Sequence, residues 1–118
     1  MSLQFTLVLY TRWIFHNLLC CLTFKTKTTT QEAGYWGDNL CDVPEWTFRD
    51  MMEQISQNHQ DIDFIFMTGD FPPHNIWLQS WESNIEHSTT GLGIIKEYFP
   101  NTPVFPCLGN HDPWPANM

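Results

Sequence analysis

Two short apolar runs end abruptly before polar side chains, and this feature constrains the fold most. Residues 62–67 end shortly before Asp70, and residues 104–108 end shortly before Asn110. Apolar runs of this length, rich in β-branched and aromatic residues, are typical of strands that are buried on both faces. Pro106 makes the second run an imperfect strand, which we expect near a sheet edge.

Helical patterns precede both runs. Asp42, Pro44 and Glu45 are helix start signals, with Asp42 as the expected cap, and they predict a helix over residues 44–58. A second helix is predicted over residues 77–99, with a kink or break near residue 90 because two glycines weaken it there. Its apolar stripe consists of Trp77, Trp81, Ile85, Leu92, Ile95 and Phe99.

The order helix, strand, helix, strand predicts an α/β fold that contains a parallel βαβ unit. The carboxyl ends of parallel strands gather at one rim of a sheet, where ligands bind. Asp70 follows one such end, and Asn110 and His111 follow the other. We therefore expect these residues, although distant in sequence, to meet in space.

Length and charge narrow the possible functions. The chain has 118 residues, which is enough for one domain at most. Its net charge is -8, from 5 basic and 13 acidic residues. Nucleic-acid binding needs a basic surface that neutralises phosphates, so no nucleic acid is expected as a partner. The acidity serves solubility, or some of the carboxylates bind a cation.

Residues 1–32 are predicted to be an atypical apolar segment and linker in front of a domain that spans residues 33–118. The apolar stretch is long enough for a transmembrane helix, but Arg12, His16 and Asn17 interrupt it. A signal peptide would start with a basic residue, and none precedes the stretch. A signal or anchor, a strand or irregular segment, and sequence foreign to the fold remain alternatives.

Four cysteines, at positions 20, 21, 41 and 107, leave the redox state open. The adjacent pair Cys20 and Cys21 has poor geometry for a mutual disulfide. The sequence contains no Cys-x-x-Cys pair, which argues against a zinc ribbon. Spacing alone therefore favours neither disulfides nor free thiols.

Asp, Asn and His at loop tips are donors that suit zinc, manganese or iron. A carboxylate can bridge two metals, an amide oxygen can bind one without adding charge, and a histidine can protonate a leaving group. A glycine before each donor permits a tight turn and a close backbone approach. A single Gly-Asp or Asn-His is usually only a turn, so a metal site and plain turns are both compatible with these residues.

Four segments of the chain resemble calcineurin-like metallophosphoesterases and, among these, the acid sphingomyelinase family. In order they are Ala33-Gly-Tyr-Trp-Gly37, Cys41-Asp-Val-Pro44, Thr68-Gly-Asp-Phe-Pro-Pro-His-Asn-Ile-Trp77 and Val104-Phe-Pro-Cys-Leu-Gly-Asn-His-Asp112. The acid sphingomyelinase-like phosphodiesterases are the second choice, because a histidine followed by Trp77 favours the sphingomyelinases. The resemblance implies an incomplete metallophosphoesterase sandwich core.

The resemblance also implies roles for four residues. Asp70 matches the carboxylate that bridges two zinc ions, and Asn110 matches a ligand of the second zinc. His111 matches the histidine that contacts the phosphate and protonates the leaving group. His74 matches a second histidine that faces the phosphate, with a loop histidine packed on Trp77 as the alternative.

The reaction that the resemblance implies is zinc-dependent hydrolysis of sphingomyelin to ceramide and phosphocholine, by attack of a metal-activated water on the phosphodiester. It implies a secreted or lysosomal location and a membrane surface that carries the lipid. It also implies a disulfide between Cys21 and Cys41, and it makes Cys107 a buried free thiol.

The chain departs from the family in its ligand set. The family's Asp-x-His motif is missing, because no aspartate precedes Asp38, and its Gly-His-x-His motif is missing too. Asp70 and Asn110 alone do not close a zinc site, which takes about four donors per metal. We therefore expect a truncated form that is inactive alone. The alternatives are a non-catalytic lipid- or partner-binding fragment, a phosphodiesterase acting on other phosphoesters, and a poorly folding chain without activity.

Overall fold

The computed structural model describes residues 5–9, 35–37 and 42–118. Its elements, in chain order, are strand β1 (Phe5–Leu9), helix α1 (Glu45–Asn58), strand β2 (Ile62–Met67), a 3-10 helix (Ile76–Leu78), helix α2 (Trp81–Tyr98) and strand β3 (Val104–Pro106). The described strands form one sheet in the order β1-β2-β3, and both pairs are parallel. The predicted α/β class and the parallel βαβ unit, made of β2, α2 and β3, are confirmed.

Strand β1 lies within the N-terminal segment, where a strand was one of the alternatives. Leu9 at its carboxyl end is in register with Met67 at the end of β2, so both strands end at the same rim. The rest of residues 1–32 lies outside the described residues, and the domain division at residue 32 stays a prediction. Within the described ranges, no helix has the length and apolarity needed to cross a membrane.

Helix α1 has nearly the predicted range, but its start differs from the prediction. Pro44 is the N-cap residue, and no side chain caps the helix. The predicted cap by Asp42 is wrong, because both oxygens of that carboxylate contact His74 instead. The indole Nε1 of Trp46 donates to the Tyr35 carbonyl at 2.6 Å, which holds residues 35–37 against the first turn of α1.

Helix α2 begins later than predicted because Ser80 caps it. The Ser80 hydroxyl accepts the backbone N–H of Ser83, and the Ser83 hydroxyl accepts that of Ser80, which together form a capping box. The predicted break near residue 90 is wrong, since α2 continues through Gly91 and Gly93. The unbroken helix is the main element of the crossover between β2 and β3, which also contains the loop after β2 and the 3-10 helix.

The core is formed by the two helices and one face of the sheet. Its buried apolar side chains are Phe48, Met52, Ile65, Met67, Phe71, Ile94, Ile95 and Phe99. Burial alternates along β2: Ile65 and Met67 are buried, whereas Phe66 between them is 41 % exposed. Its ring stacks on Phe105 of the neighbouring strand on the open face. The prediction that β2 is buried on both faces is therefore wrong.

Candidate active site

The rim at the carboxyl ends of β2 and β3 brings the predicted residues together. The backbone N–H of His111 donates to Oδ1 of Asp70 at 2.9 Å, although 41 residues separate them. The rings of His74 and His111 lie 5.3 Å apart between centroids. The expected meeting of the two loops is confirmed, and His74 joins them; the chemical roles of these residues stay predictions.

The turn that presents Asp70 has an unusual backbone. The φ angle is +64° at Asp70 and +81° at Gly69. A left-handed φ is costly for most residues and is concentrated at functional sites, although Asp tolerates it better than most. A Cβ on Gly69 would also lie 2.2 Å from the backbone nitrogen of Gly109. Position 69 therefore needs glycine both for its φ and for the approach of the second loop.

Gly109 makes the matching approach from the second loop. A Cβ there would lie 2.2 Å from Oδ1 and 2.4 Å from Cγ of Asp70. Side-chain atoms do not approach so closely, so any larger residue would displace the Asp70 carboxylate. The two glycines that the sequence placed before the donors thus serve the contact between the loops.

Asp112 ties the two loops together, a role that the sequence did not reveal. Its Oδ2 accepts the backbone N–H groups of Asp70 and Gly109, each at 2.6 Å. Its Oδ1 accepts the N–H of Phe71 and the hydroxyl of Ser88, each at 3.3 Å. Asp112 is only 8 % exposed, so these bonds replace water for a buried carboxylate. The available signal was its position directly after the Gly-Asn-His sequence.

Asp42 is the second carboxylate that sequence reasoning missed, because its position before Pro44 favoured a helix cap. Its Oδ1 lies 2.8 Å from Nδ1 of His74, and its Oδ2 accepts the backbone N–H of the same residue at 3.2 Å. The Asp42 side chain is 3 % exposed, whereas that of His74 is 44 % exposed. A buried carboxylate thus holds a ring that reaches solvent.

A residue of helix α2 holds the backbone at His111, and burial shifts the pKa of the His111 ring. Nδ2 of Asn84, a buried residue of α2, lies 3.1–3.3 Å from the carbonyls of residues 111–113 and holds their backbone. Burial lowers the pKa of His111, the negative charge of Asp70 opposes this shift, and His74 lowers the pKa further when it is itself protonated. The protonated form of His111 is therefore a stronger acid than an exposed imidazolium.

Comparison with known proteins adds the deciding observation, since residues 36–118 match the calcineurin-like phosphoesterase domain. The chain belongs to the calcineurin-like phosphoesterase family. The matched range contains β2, β3 and both rim loops. The family resemblance that four sequence segments predicted is confirmed.

Within the calcineurin-like phosphoesterases, the chain is similar to sphingomyelin phosphodiesterases. It is 41 % identical over 102 residues to sphingomyelin phosphodiesterase B of Dictyostelium discoideum, covering 84 % of this chain and 16 % of that protein. It is 34 % identical over 104 residues to the sphingomyelin phosphodiesterase of Bos taurus, covering 86 % and 16 %. A cyclic GMP-AMP phosphodiesterase of Bos taurus is 36 % identical over 104 residues, covering 87 % and 23 %. The chain thus spans a quarter or less of these relatives' lengths.

The described donors fit only part of a calcineurin-like metal centre. Nδ2 of Asn110 donates to Oδ1 of Asn117 at 3.1 Å, which leaves the amide oxygen of Asn110 as its donor atom for a metal. Asp70 adds a carboxylate. Among the described residues, no group of three or more His, Cys, Asp or Glu side chains is arranged to hold a metal ion. Two oxygen donors are too few for zinc, which takes about four.

Residues 10–34, which follow β1, lie outside the described residues, so the structure does not test the prediction that the family's Asp-x-His motif is missing.

The structure tests the prediction for Cys107 but not the one for Cys21 and Cys41. Cys107 follows β3 directly and donates its backbone N–H to the Met67 carbonyl at 2.8 Å. Its thiol is free and the residue is exposed, so its predicted burial is wrong. Cys21 and Cys41 lie outside the described residues, and the disulfide between them stays a prediction.

Proposed function

We propose that this chain forms part of the active site of a phosphodiesterase that hydrolyses sphingomyelin to ceramide and phosphocholine. The observation that supports it best is the gathering of Asp70, Asn110, His111 and His74 at one rim of a parallel sheet. The names of the similar sphingomyelin phosphodiesterases support the choice of substrate.

In this proposal, Asp70 and Asn110 would hold zinc ions together with ligands from elsewhere in the protein. Bound zinc would supply Lewis acidity toward a phosphoryl oxygen and a more acidic water. His111 would donate a proton to the leaving oxygen, and its lowered pKa suits it to give that proton up. His74 would contact the phosphate from the neighbouring position.

The proposed setting is a secreted or lysosomal protein that works at a membrane surface, with the Cys21–Cys41 disulfide formed. Support for the membrane surface comes from tryptophans beside the rim. Trp77, Trp81 and Trp114 are 59 %, 56 % and 48 % exposed. Aromatic side chains with one polar atom favour the interface between water and lipid.

The isolated chain is expected to show no metal-dependent turnover of sphingomyelin or of a chromogenic phosphodiester, because its described residues supply two metal ligands. The measurement is product release with zinc, manganese or chelator present. Robust turnover that is lost both with chelator and on Asp70→Ala would contradict the proposed dependence on further ligands.

A chimera tests whether the segment itself is competent. Residues 36–118 would replace the matching segment of the Dictyostelium sphingomyelin phosphodiesterase B, which retains its own remaining parts. Turnover of sphingomyelin that disappears on Asp70→Ala, but survives Glu86→Gln at an exposed position of helix α2, would support the proposal. A folded chimera that binds zinc and hydrolyses neither sphingomyelin nor another phosphodiester would contradict it.

A second candidate is hydrolysis of a different phosphodiester, which the similarity to a cyclic GMP-AMP phosphodiesterase favours. The same chimera, assayed on cyclic GMP-AMP and on sphingomyelin, separates the two substrates. A non-catalytic role in binding lipid or a partner is the third candidate, since Phe66 and Phe105 are exposed on the open sheet face. That role would be excluded if the folded chain were a monodisperse monomer in size-exclusion chromatography and did not bind neutral vesicles.

A further inference from the structure

We propose that Asp42 is a positioning residue for His74, which it holds in the neutral tautomer that carries its proton on Nδ1 and its lone pair on Nε2. The benefit for catalysis rests on the proposed function of the rim, whereas the tautomer itself does not.

Asp42 and His74 are joined by two hydrogen bonds, each to a different carboxylate oxygen. Oδ1 of Asp42 meets the ring at Nδ1, 2.8 Å away, and Oδ2 accepts the backbone N–H of the same histidine at 3.2 Å. One bond fixes where the backbone of His74 lies, and the other fixes the rotation of its ring. The bond to Nδ1 is the one of the two that restrains rotation about the side-chain torsions of His74.

The chemistry of a carboxylate determines the tautomer. An ionised carboxylate is only an acceptor, so a short contact to Nδ1 requires a proton on that nitrogen. In the neutral ring the lone pair then belongs to Nε2. In the imidazolium, the neighbouring negative charge stabilises the cation, and Nε2–H is the proton that can be transferred away from Asp42.

Burial makes this contact rigid. The Asp42 side chain is 3 % exposed, so it depends on its protein partners rather than on water. Pro44 is buried beside it, and a Cβ on Gly37 would lie 3.1 Å from the Pro44 ring, so this segment is tightly packed. A catalytic side chain needs such support, because a loosely held group loses its productive geometry.

If the bond between Asp42 and His74 served only to hold the two residues together, the position of the ring proton would not matter. Asparagine at position 42 could still bind His74 at both points. Its amide would be turned so that Oδ1 accepts the His74 backbone N–H while Nδ2 donates to the ring Nδ1. That arrangement needs a bare Nδ1 and moves the proton to Nε2. Asp42→Asn should therefore preserve the fold while reversing the tautomer, a change that a structural role alone does not require.

The test is ring ¹⁵N spectroscopy of the whole chain labelled at histidine, at about pH 8.5, two units above the usual histidine pKa. Two-bond correlation spectra distinguish protonated from bare ring nitrogens, and His74→Gln identifies the His74 signals. Asp42→Asn is compared with Glu86→Gln, which removes the charge of an exposed residue on α2. Backbone spectra report whether each variant is folded.

The expected result is a protonated Nδ1 and a bare Nε2 for His74 in the wild type and in Glu86→Gln, with the reverse in Asp42→Asn. A bare Nδ1 in the wild type would overturn the proposal by itself, whether or not any variant folds. An unchanged tautomer in folded Asp42→Asn would overturn it too.

Inorganic phosphate then separates this inference from the proposed function. Phosphate that shifts the His74 and His111 ring signals would support both. If the tautomer is as expected and phosphate shifts neither ring in the zinc-loaded chimera described above, the positioning by Asp42 stands and the assignment of the rim as a phosphate site fails.

Discussion

Replacing Asp112 by alanine is expected to lower the free energy of unfolding by about 3–5 kcal/mol, or to leave the chain unfolded. The substitution removes the acceptor for the backbone N–H groups of Asp70, Phe71 and Gly109. Each buried donor left without a partner costs about 1–3 kcal/mol. The measurement is the urea midpoint followed by circular dichroism.

Asp61→Ala provides the matched control, because it removes the same side chain from an exposed position and should change stability by at most about 0.5 kcal/mol. Asp112→Asn keeps the shape but turns an amide nitrogen toward donors, so we expect a substantial loss there as well. If the free energy of unfolding of Asp112→Ala were within about 1 kcal/mol of the wild-type value, Asp112 would not hold the two loops together as described.

The Gly91→Ala substitution is expected to destabilise the chain by about 2 kcal/mol, although alanine is the better helix former. A Cβ at this position of α2 would lie 2.1 Å from Cε1 and 2.3 Å from Cδ1 of Phe71, whose ring is fully buried. Overpacking of this kind costs up to about 3 kcal/mol. The gain in helix propensity returns about 1 kcal/mol. Chemical denaturation measures the difference.

Gly93→Ala is the control, two residues along the same helix. A Cβ there meets nothing within 4 Å, so the substitution should stabilise the chain by about 0.5–1 kcal/mol. The two alanine variants are thus expected to shift the midpoint in opposite directions. A stabilising Gly91→Ala would show that Phe71 does not pack against α2 as described.

The sequence was sufficient for the elements whose causes are local. The apolar run 62–67 and the helical spacing after Pro44 predicted β2 and α1 closely. The order of the elements predicted that the strands are parallel. Parallel strands in turn predicted that Asp70 and His111 lie close together. The close approach of the loops also followed from local composition, since glycine stood before each donor.

The failures concern contacts between distant parts of the chain. The bonds of Asp42 to His74 and of Asp112 to Asp70 span 32 and 42 residues, and no local pattern encodes them. Helix propensity predicted a break at Gly91, but that glycine is where the Phe71 ring fits. An apolar run does not show how many of its faces are covered, so the exposure of Phe66 was missed.

Nuclear Overhauser spectroscopy of the amide protons of Asp70 and Gly109 tests most directly whether the two loops lie side by side. Both N–H groups donate to one oxygen, Oδ2 of Asp112, at 2.6 Å each. With each hydrogen about 2 Å from that oxygen, the two protons are at most about 4 Å apart. We expect a cross-peak between them. Assigned amide signals with no cross-peak, in a folded chain, would contradict the juxtaposition on which the candidate active site depends.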